Sequence, residues 1–468
     1  MSVTRLGVPL LAAFVSACAS TSPTPVFRDT ASLVESRTGR RVVWNQASAD
    51  DEAVATRIHD LVSREMMVEA AIQIALVNNK TLQATYEGLT VAQADLVQAG
   101  LLQNPVFGAG VAFPVAGSAQ TGFGLSVSQD FLSIFLLAAR KRVAAAELRA
   151  TERRVGDAVL RMANDVEVAF YSLAAAQQIA AMRRTILETG DAGLDLAQRQ
   201  LAAGNISDLD LANQQSLYEQ IRTDLVRSDA DVVAAREALT RLLGLWGPDA
   251  NYRIVEKLPE LPAEEVGVDH LESLGVSRRL DLAAAHEEAQ AVSHALAMAK
   301  TYRWLGATSV GAGVERAPEG FTVAGPNVGV ELPVFDQKRA VIARLEGQVR
   351  AALARETALA VNVRSEVRAA RSRVVATRAV VERYAKVVVP LRQRVVTLTL
   401  EQYNAMLVGV YQLLQAKQNE VTAYRELIEA LRDYWLARAE LERATGGSLP
   451  PASPHANANS PPKEGASG

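Results

Sequence analysis

Between Pro114 and Pro248 the chain contains no proline, and from about residue 133 to 200 its apolar residues keep one helical pattern without a break. Val155, Val159, Met162, Val166, Ala169, Leu173, Ala176 and Ala180 step by 4, 3, 4, 3, the spacing of helices packed along a seam. A helix of roughly 65 residues is about 100 Å long at 1.5 Å per residue. An ordinary globular domain cannot hold it, whereas a span of that length suits the crossing of a periplasm.

The pattern occurs twice. Val363, Val367, Ala370, Val374, Thr377, Val381, Tyr384 and Val388 repeat the same steps, and because apolar residues continue past Pro390 that proline should kink the helix rather than end it. "LTRLLGLW" (239–246) and "LERATGGS" (441–448) close helical runs with Gly244 and Gly446, and "AAGNISDLDLANQ" (202–214) lines up with "NAMLVGVYQLLQAK" (404–417), both at an offset of 202. "FGAGV" (107–111) pairs with "VGAGV" (310–314) at 203, and "ARKRVAAAE" pairs with "DQKRAVIAR" at 197. The chain therefore divides into a segment at 18–64 with no clear pattern, a first repeat at 65–247, a Pro-containing linker at 248–268 and a second repeat at 269–447. A Pro/Ser/Asn-rich tail at 448–468 reads as disordered. Each repeat reads helix, strand, strand, very long helix, returning helix.

The strands show period two. In 122–129, Phe123, Leu125 and Val127 alternate with glycines and serines, and in 327–332, Val328, Val330 and Leu332 alternate with Asn327, Gly329 and Glu331. The stretches 106–113 and 307–315 are similarly Gly-rich and apolar. An apolar side against a tiny or polar side suits a strand with lipid outside and a crowded aqueous lumen inside; a soluble hairpin with one face on a core shows the same alternation. No run of about 20 apolar residues occurs after the leader, so a bilayer crossing would have to be made by strands in a closed barrel. Four short strands cannot close one, and three chains giving twelve strands is the simplest solution.

The leader points the same way. Arg5, the apolar stretch Leu6–Val15 and then Val15-Ser16-Ala17-Cys18 form a short secretory signal over 1–17. "VSAC" resembles a bacterial lipobox, and Cys18 is the one cysteine of the chain, so a disulfide does not explain it; the alternative is an ordinary signal peptide with an incidental cysteine. A lipobox implies acylation of Cys18, and Ala19 after it implies the outer membrane. Net charge is −3, without the basic bias that nucleic acid requires.

Several motifs then resemble the outer membrane efflux protein family, the TolC-like channels, over almost the whole mature chain. They are "ALVNNKTLQA" (75–84), "AGLLQNPVF" (99–107), "GNISDLDLANQ" (204–214) and "ELPVFDQKRAVIA" (331–343). With the lipobox, the resemblance is to the lipoprotein branch serving drug and heavy-metal pumps of the resistance-nodulation-division type. It implies a mainly helical chain with four barrel strands, a homotrimer with a twelve-stranded barrel in outer-membrane lipid, and a tunnel of twelve helices ending in tips. A periplasmic adaptor would dock at the tips, and an inner-membrane pump would supply energy. The tip positions fall on Gly204, Asn205 and Ile206 in the first repeat and on Met406, Leu407 and Gly409 in the second. Met406 stands where the family's pattern has glycine, which puts that turn's geometry in question. The family's Tyr–Asp entrance lock falls on Tyr403 and Asp210, a supporting arginine is replaced by Val408, and two acidic ring positions carry Gln412 and Gln415. A solvated acid and a packed aromatic would account for Asp210 and Tyr403 equally.

No phosphate loop, zinc spacing or Ser/His/Asp order emerges, the five histidines are widely separated, and the long Arg/Glu faces read as solvated surface. The sequence thus suggests a passive exit channel for small molecules, with no enzyme, cofactor or metal. A type I protein-secretion duct competes within the same class, and a pore-less coiled-coil lipoprotein competes from another.

Overall fold

A computed structural model describes residues 21–45, 50–113, 121–265, 270–317 and 320–449; the leader, Cys18 and most of the tail lie outside them. In chain order the elements are α1 (Thr24–Thr38), α2 (Asp50–Val62), β1 (Glu65–Met66), α3 (Val68–Asn78), α4 (Lys80–Ala99), β2 (Val106–Ala112), β3 (Gly122–Asp130), α5 (Leu132–Ala202) and α6 (Asp208–Leu243). The second half supplies β4 (Arg253–Ile254), α7 (Leu271–Arg278), α8 (Leu280–Thr301), β5 (Thr308–Arg316), β6 (Thr322–Val330), α9 (Arg339–Arg383), α10 (Val389–Asn404) and α11 (Val410–Ala444). The second half repeats the element order of the first. Two compact units result, and each draws on both repeats: Met1–Thr30, Thr85–Gly156 and Leu280–Ala360 in the first, Ala31–Ala84, Asp157–Arg279 and Val361–Gly468 in the second.

The first unit contains a four-stranded antiparallel sheet in the order β2-β3-β5-β6. Its fourth strand begins five residues earlier than the alternation at 327–332 indicated and ends at Val330, so Leu332 lies beyond it. Pro326 disguises this strand. Proline cannot donate to a ladder, and it is tolerated here because β6 is an edge. Below the sheet, Arg149 meets Glu287 at 2.9 Å and Lys300 meets Glu346 at 2.6 Å.

The second unit is built on the 4-3 seams. Val155 in the first unit and Val159, Val166, Leu173 and Ala180 here are buried on α5, and Val363, Val367, Ala370, Val374 and Val381 are buried on α9. Of these α9 residues, Val367, Ala370, Val374 and Val381 pack with Ala430, Tyr434, Ala437 and Leu441 of α11; fully burying one such valine is worth about 1.5–3 kcal/mol. Past Val381 the helix does not end. A π turn over Tyr384–Val388 carries the chain into α10, with the Val389 amide donating to the Tyr384 carbonyl, so the backbone accommodates Pro390.

The motif Asn78-Asn79 has a structural task. Gly244 closes α6 at φ +67, and the side-chain amides of Asn78 and Asn79 donate to the carbonyls of Leu242, Leu243 and Gly244 at 2.8–3.0 Å, satisfying helix-end acceptors that have no partner inside the helix. In the second repeat an arginine clamp takes over. Arg37, from the segment the sequence left unassigned, donates to the Arg278 carbonyl at 2.6 Å, and its own carbonyl accepts from Ser448 at 3.1 Å. That unassigned segment contains helices α1 and α2, and Ser448 and Leu449 of the nominal tail are in place. The linker is also fastened: Trp435 Nε1 donates to the Pro259 carbonyl at 2.9 Å, and Arg378 meets Glu265 at 2.9 Å.

Candidate functional site

Directly paired residues in a sheet share a face, so the register sorts the four strands into two surfaces. One surface carries Ala109–Leu125–Val314–Ala324, then Phe107–Val127–Ala312–Pro326, then Val310–Val328. Its large side chains are exposed, Phe107 at 65% and Val328 at 66%. The other carries Gly108–Ser126–Gly313–Gly325 and Val106–Ser128–Gly311–Asn327, with Glu315 beside Gly110 and Gly124. Smallness is required on this second side: a Cβ on Gly311 would lie 2.3 Å from Asn327 Oδ1 and 2.5 Å from the Val127 carbonyl. An apolar surface backed by a crowded polar one is what a barrel wall between lipid and water needs. Among the described residues, β2 and β6 each keep an edge without a strand partner.

The tips lie in the second unit. At the α5–α6 turn, Gly204 N–H donates to the Leu201 carbonyl and Asn205 N–H to the Gln200 carbonyl, both at 2.8 Å. At the α10–α11 turn, Met406 N–H donates to Tyr403 and Leu407 N–H to Gln402, both at 2.9 Å. Gly204 has φ +73 and Met406 φ +59. The residue change therefore leaves the turn geometry intact. Met406 and Leu407 are 93% and 75% exposed.

After each turn a cap starts the returning helix. Ser207 Oγ accepts from the Asp210 N–H at 3.2 Å, and the Asp210 carboxylate accepts from the Ser207 N–H at 3.1 Å, completing a capping box. Gly409 and Gln412 hold the corresponding places, and Gln412 Oε1 accepts from the Gly409 N–H at 2.6 Å. Asp210 and Gln412 are thus equivalent helix-capping positions. Gln415 donates to Asn419 at 3.4 Å and lines a cavity of about 380 Å³ with Gln214, Leu217 and Ile186.

The Asp210 carboxyl is held below its ordinary range by the Ser207 backbone and hydroxyl, with a smaller contribution from Tyr411. Tyr411 is the second residue of α11, whereas the pairing that the resemblance implies draws on Tyr403 near the end of α10. Nor is every acid on the long helices solvated. Burial pushes Glu167 of α5 up to about 7 and raises Glu442 of α11, and periodicity offers no sign of either.

The family model described as outer membrane efflux protein matches residues 71–245. This segment is therefore similar to the outer membrane efflux protein family. The likeness in fold extends well past the matched segment. A membrane protein from Pseudomonas aeruginosa is similar at 19% identity and TM-score 0.71, over 81% of this chain and 92% of that one. The CmeC outer membrane channel of Campylobacter jejuni is similar at 15% identity and TM-score 0.71, over 82% and 86%. The open-state MtrE outer membrane channel of Neisseria gonorrhoeae gives 16% identity and TM-score 0.65, over 81% and 89%. At these identities the likeness establishes the fold alone, mainly helical with a four-stranded antiparallel sheet. No curated protein matches the sequence.

Proposed function

We propose that the chain is the exit channel of a tripartite efflux system, working as a homotrimer that passively conducts small molecules such as drugs or metal ions. The observation that carries this reading is the two-faced sheet with two unpaired edges. An open edge is not tolerated in lipid, and three four-stranded sheets joined edge to edge give the twelve strands of a closed barrel. Gly204, Asn205, Ile206, Met406, Leu407 and Gly409 are the proposed contacts for a periplasmic adaptor, whose inner-membrane pump, of the resistance-nodulation-division type, supplies the energy. Exposed apolar side chains at Met406 and Leu407 support that assignment. At the entrance, Asp210 is assigned to a contact with Tyr411, with Tyr403, Gln412 and Gln415 nearby in sequence but not acidic.

Native mass spectrometry in detergent should give a trimer, and that trimer should conduct ions in planar bilayers; a stable monomer, or a trimer without conductance as a pore-less rod would give, overturns the reading. In the same bilayers Tyr411→Phe should raise open probability more than Tyr403→Phe, and the reverse order restores the pairing suggested by the family resemblance. Anchoring is assigned to Cys18: palmitate should label the wild type and not Cys18→Ser, and label on the variant removes the lipid anchor. The anchor favours small-molecule efflux over type I secretion, and the adaptor that co-purifies distinguishes them.

A further inference from the structure

At the end of the sheet where α5 and α9 begin, the apolar surface does not stop. Phe131 continues the residue parity of Phe123, Leu125 and Val127, and its ring packs edge-on against Phe135 of α5 at 5.6 Å. Phe135 and Arg142 are seven residues apart, two turns down the same helix face, with Ala138 between them; Phe135, Ala138, Lys141 and Arg142 are all exposed. The second repeat does the same. Beyond β6, Leu332 and Phe335 are 73% and 101% exposed, and Arg339 follows, exposed, on the first turn of α9. Beyond the foot of β5, Trp304 is 58% exposed with the Arg303 guanidinium 4.3 Å from its ring centre. Lys141 and Lys338 are equivalent in the duplication, but Lys338 is already committed to the carbonyls of Tyr302 and Leu305, which leaves Arg339 as the outward cation there.

Aromatic side chains next to long cations at the rim of an apolar wall form an arrangement suited to the phosphate layer of a bilayer: rings sit at the headgroup level and the cations reach charge just outside it. We infer that this collar, formed by Lys141, Arg142 and Arg339 beneath Phe135, Trp304 and Phe335, binds the headgroups of anionic phospholipid in the periplasmic leaflet. The inference rests on the channel reading, and commits to lipid because Phe131 and Leu332 continue the parity of the apolar face and these exposed cations follow them along the chain.

The test uses the full-length protein in mixed phosphatidylglycerol–phosphatidylcholine micelles, with native mass spectrometry counting retained lipids. Wild type should retain phosphatidylglycerol in preference, and Lys141→Gln/Arg142→Gln/Arg339→Gln should weaken that preference on the order of tenfold. The conservative Lys141→Arg/Arg142→Lys/Arg339→Lys form should keep it. Equal retention of both lipids by wild type, or an unchanged preference in the glutamine variant, overturns the proposal. So does binding to purified peptidoglycan that depends on these cations without a phosphatidylglycerol preference. Conductance in pure phosphatidylcholine separates the two readings: its absence in wild type sinks the channel, whereas its presence with no lipid preference sinks only the collar.

Discussion

At the first tip the chain reverses through Gly204 at φ +73, and at the second through Met406 at φ +59, around the same pair of backbone hydrogen bonds. Ser207 and Asp210 then cap α6 with a full box, while Gly409 and Gln412 cap α11 with the backward half alone. What the duplication has kept is the backbone; what it has exchanged is charge and side chain. The first turn is made of residues that favour it, glycine in the left-handed region and serine at the cap. The second holds a methionine where a left-handed residue costs roughly 1–2 kcal/mol, and at 93% exposure its side chain recovers nothing by packing within the chain. A local cost without a local return directs attention to what the side chain meets outside the chain, consistent with the adaptor contact proposed for Met406.

The largest effect should come from putting the second tip's difficulty into the first. Gly204→Val places a β-branched residue at φ +73 and should raise the free energy of the α5–α6 turn by about 2 kcal/mol. Met406→Gly should move the other way, stabilising the α10–α11 turn by about 0.5–1 kcal/mol, the relieved strain being partly offset by a freer unfolded chain. Hydrogen exchange at the four turn amides reads both. If the two substitutions shift their turns in the same direction, the backbone equivalence is not what governs them.

Caps come next. Ser207→Ala removes an acceptor for the Asp210 amide and should cost about 1 kcal/mol; Gln412→Ala removes one bond to the Gly409 amide and should cost about 0.5 kcal/mol. A larger loss at Gln412 would mean that its side chain does more than cap.

The features visible in the sequence were those with a period. The seams on α5 and α9 and the alternation of β3 follow from spacing alone, since burial on one face repeats every three to four residues in a helix and every two in a strand. Three kinds of feature escaped. Pro326 hid the start of β6, because whether a proline sits on an edge depends on strand order. Helix α1 is fixed by distant contacts such as Arg37 to the Arg278 carbonyl, which no local pattern encodes. The influence of Tyr411 on Asp210 escaped because the two sit on the first turns of two returning helices, far apart in sequence.

The smallest expected effect is also the one that separates the tips by charge alone. Hydrogen bonds from the Ser207 backbone and hydroxyl hold the folded Asp210 carboxyl below its ordinary 3.8. A carboxyl depressed by folding contributes stability that is present in full above the unfolded value and is lost as pH falls through the lower folded one. The α5–α6 turn should therefore loosen as pH drops below about 4, while the α10–α11 turn, capped by the neutral amide of Gln412, should show no such step. Exchange rates at Asp210 and Leu211, compared with Gln412 and Leu413 and corrected for the intrinsic pH dependence of exchange, measure the difference directly. Asp210→Asn keeps an acceptor for the Ser207 amide without a titrating proton, so it should remove the step and make the first tip behave like the second. Equal loosening at both tips, or a step that survives in Asp210→Asn, would show that acid acts elsewhere in the unit, with Glu167 and Glu442 the first groups to examine.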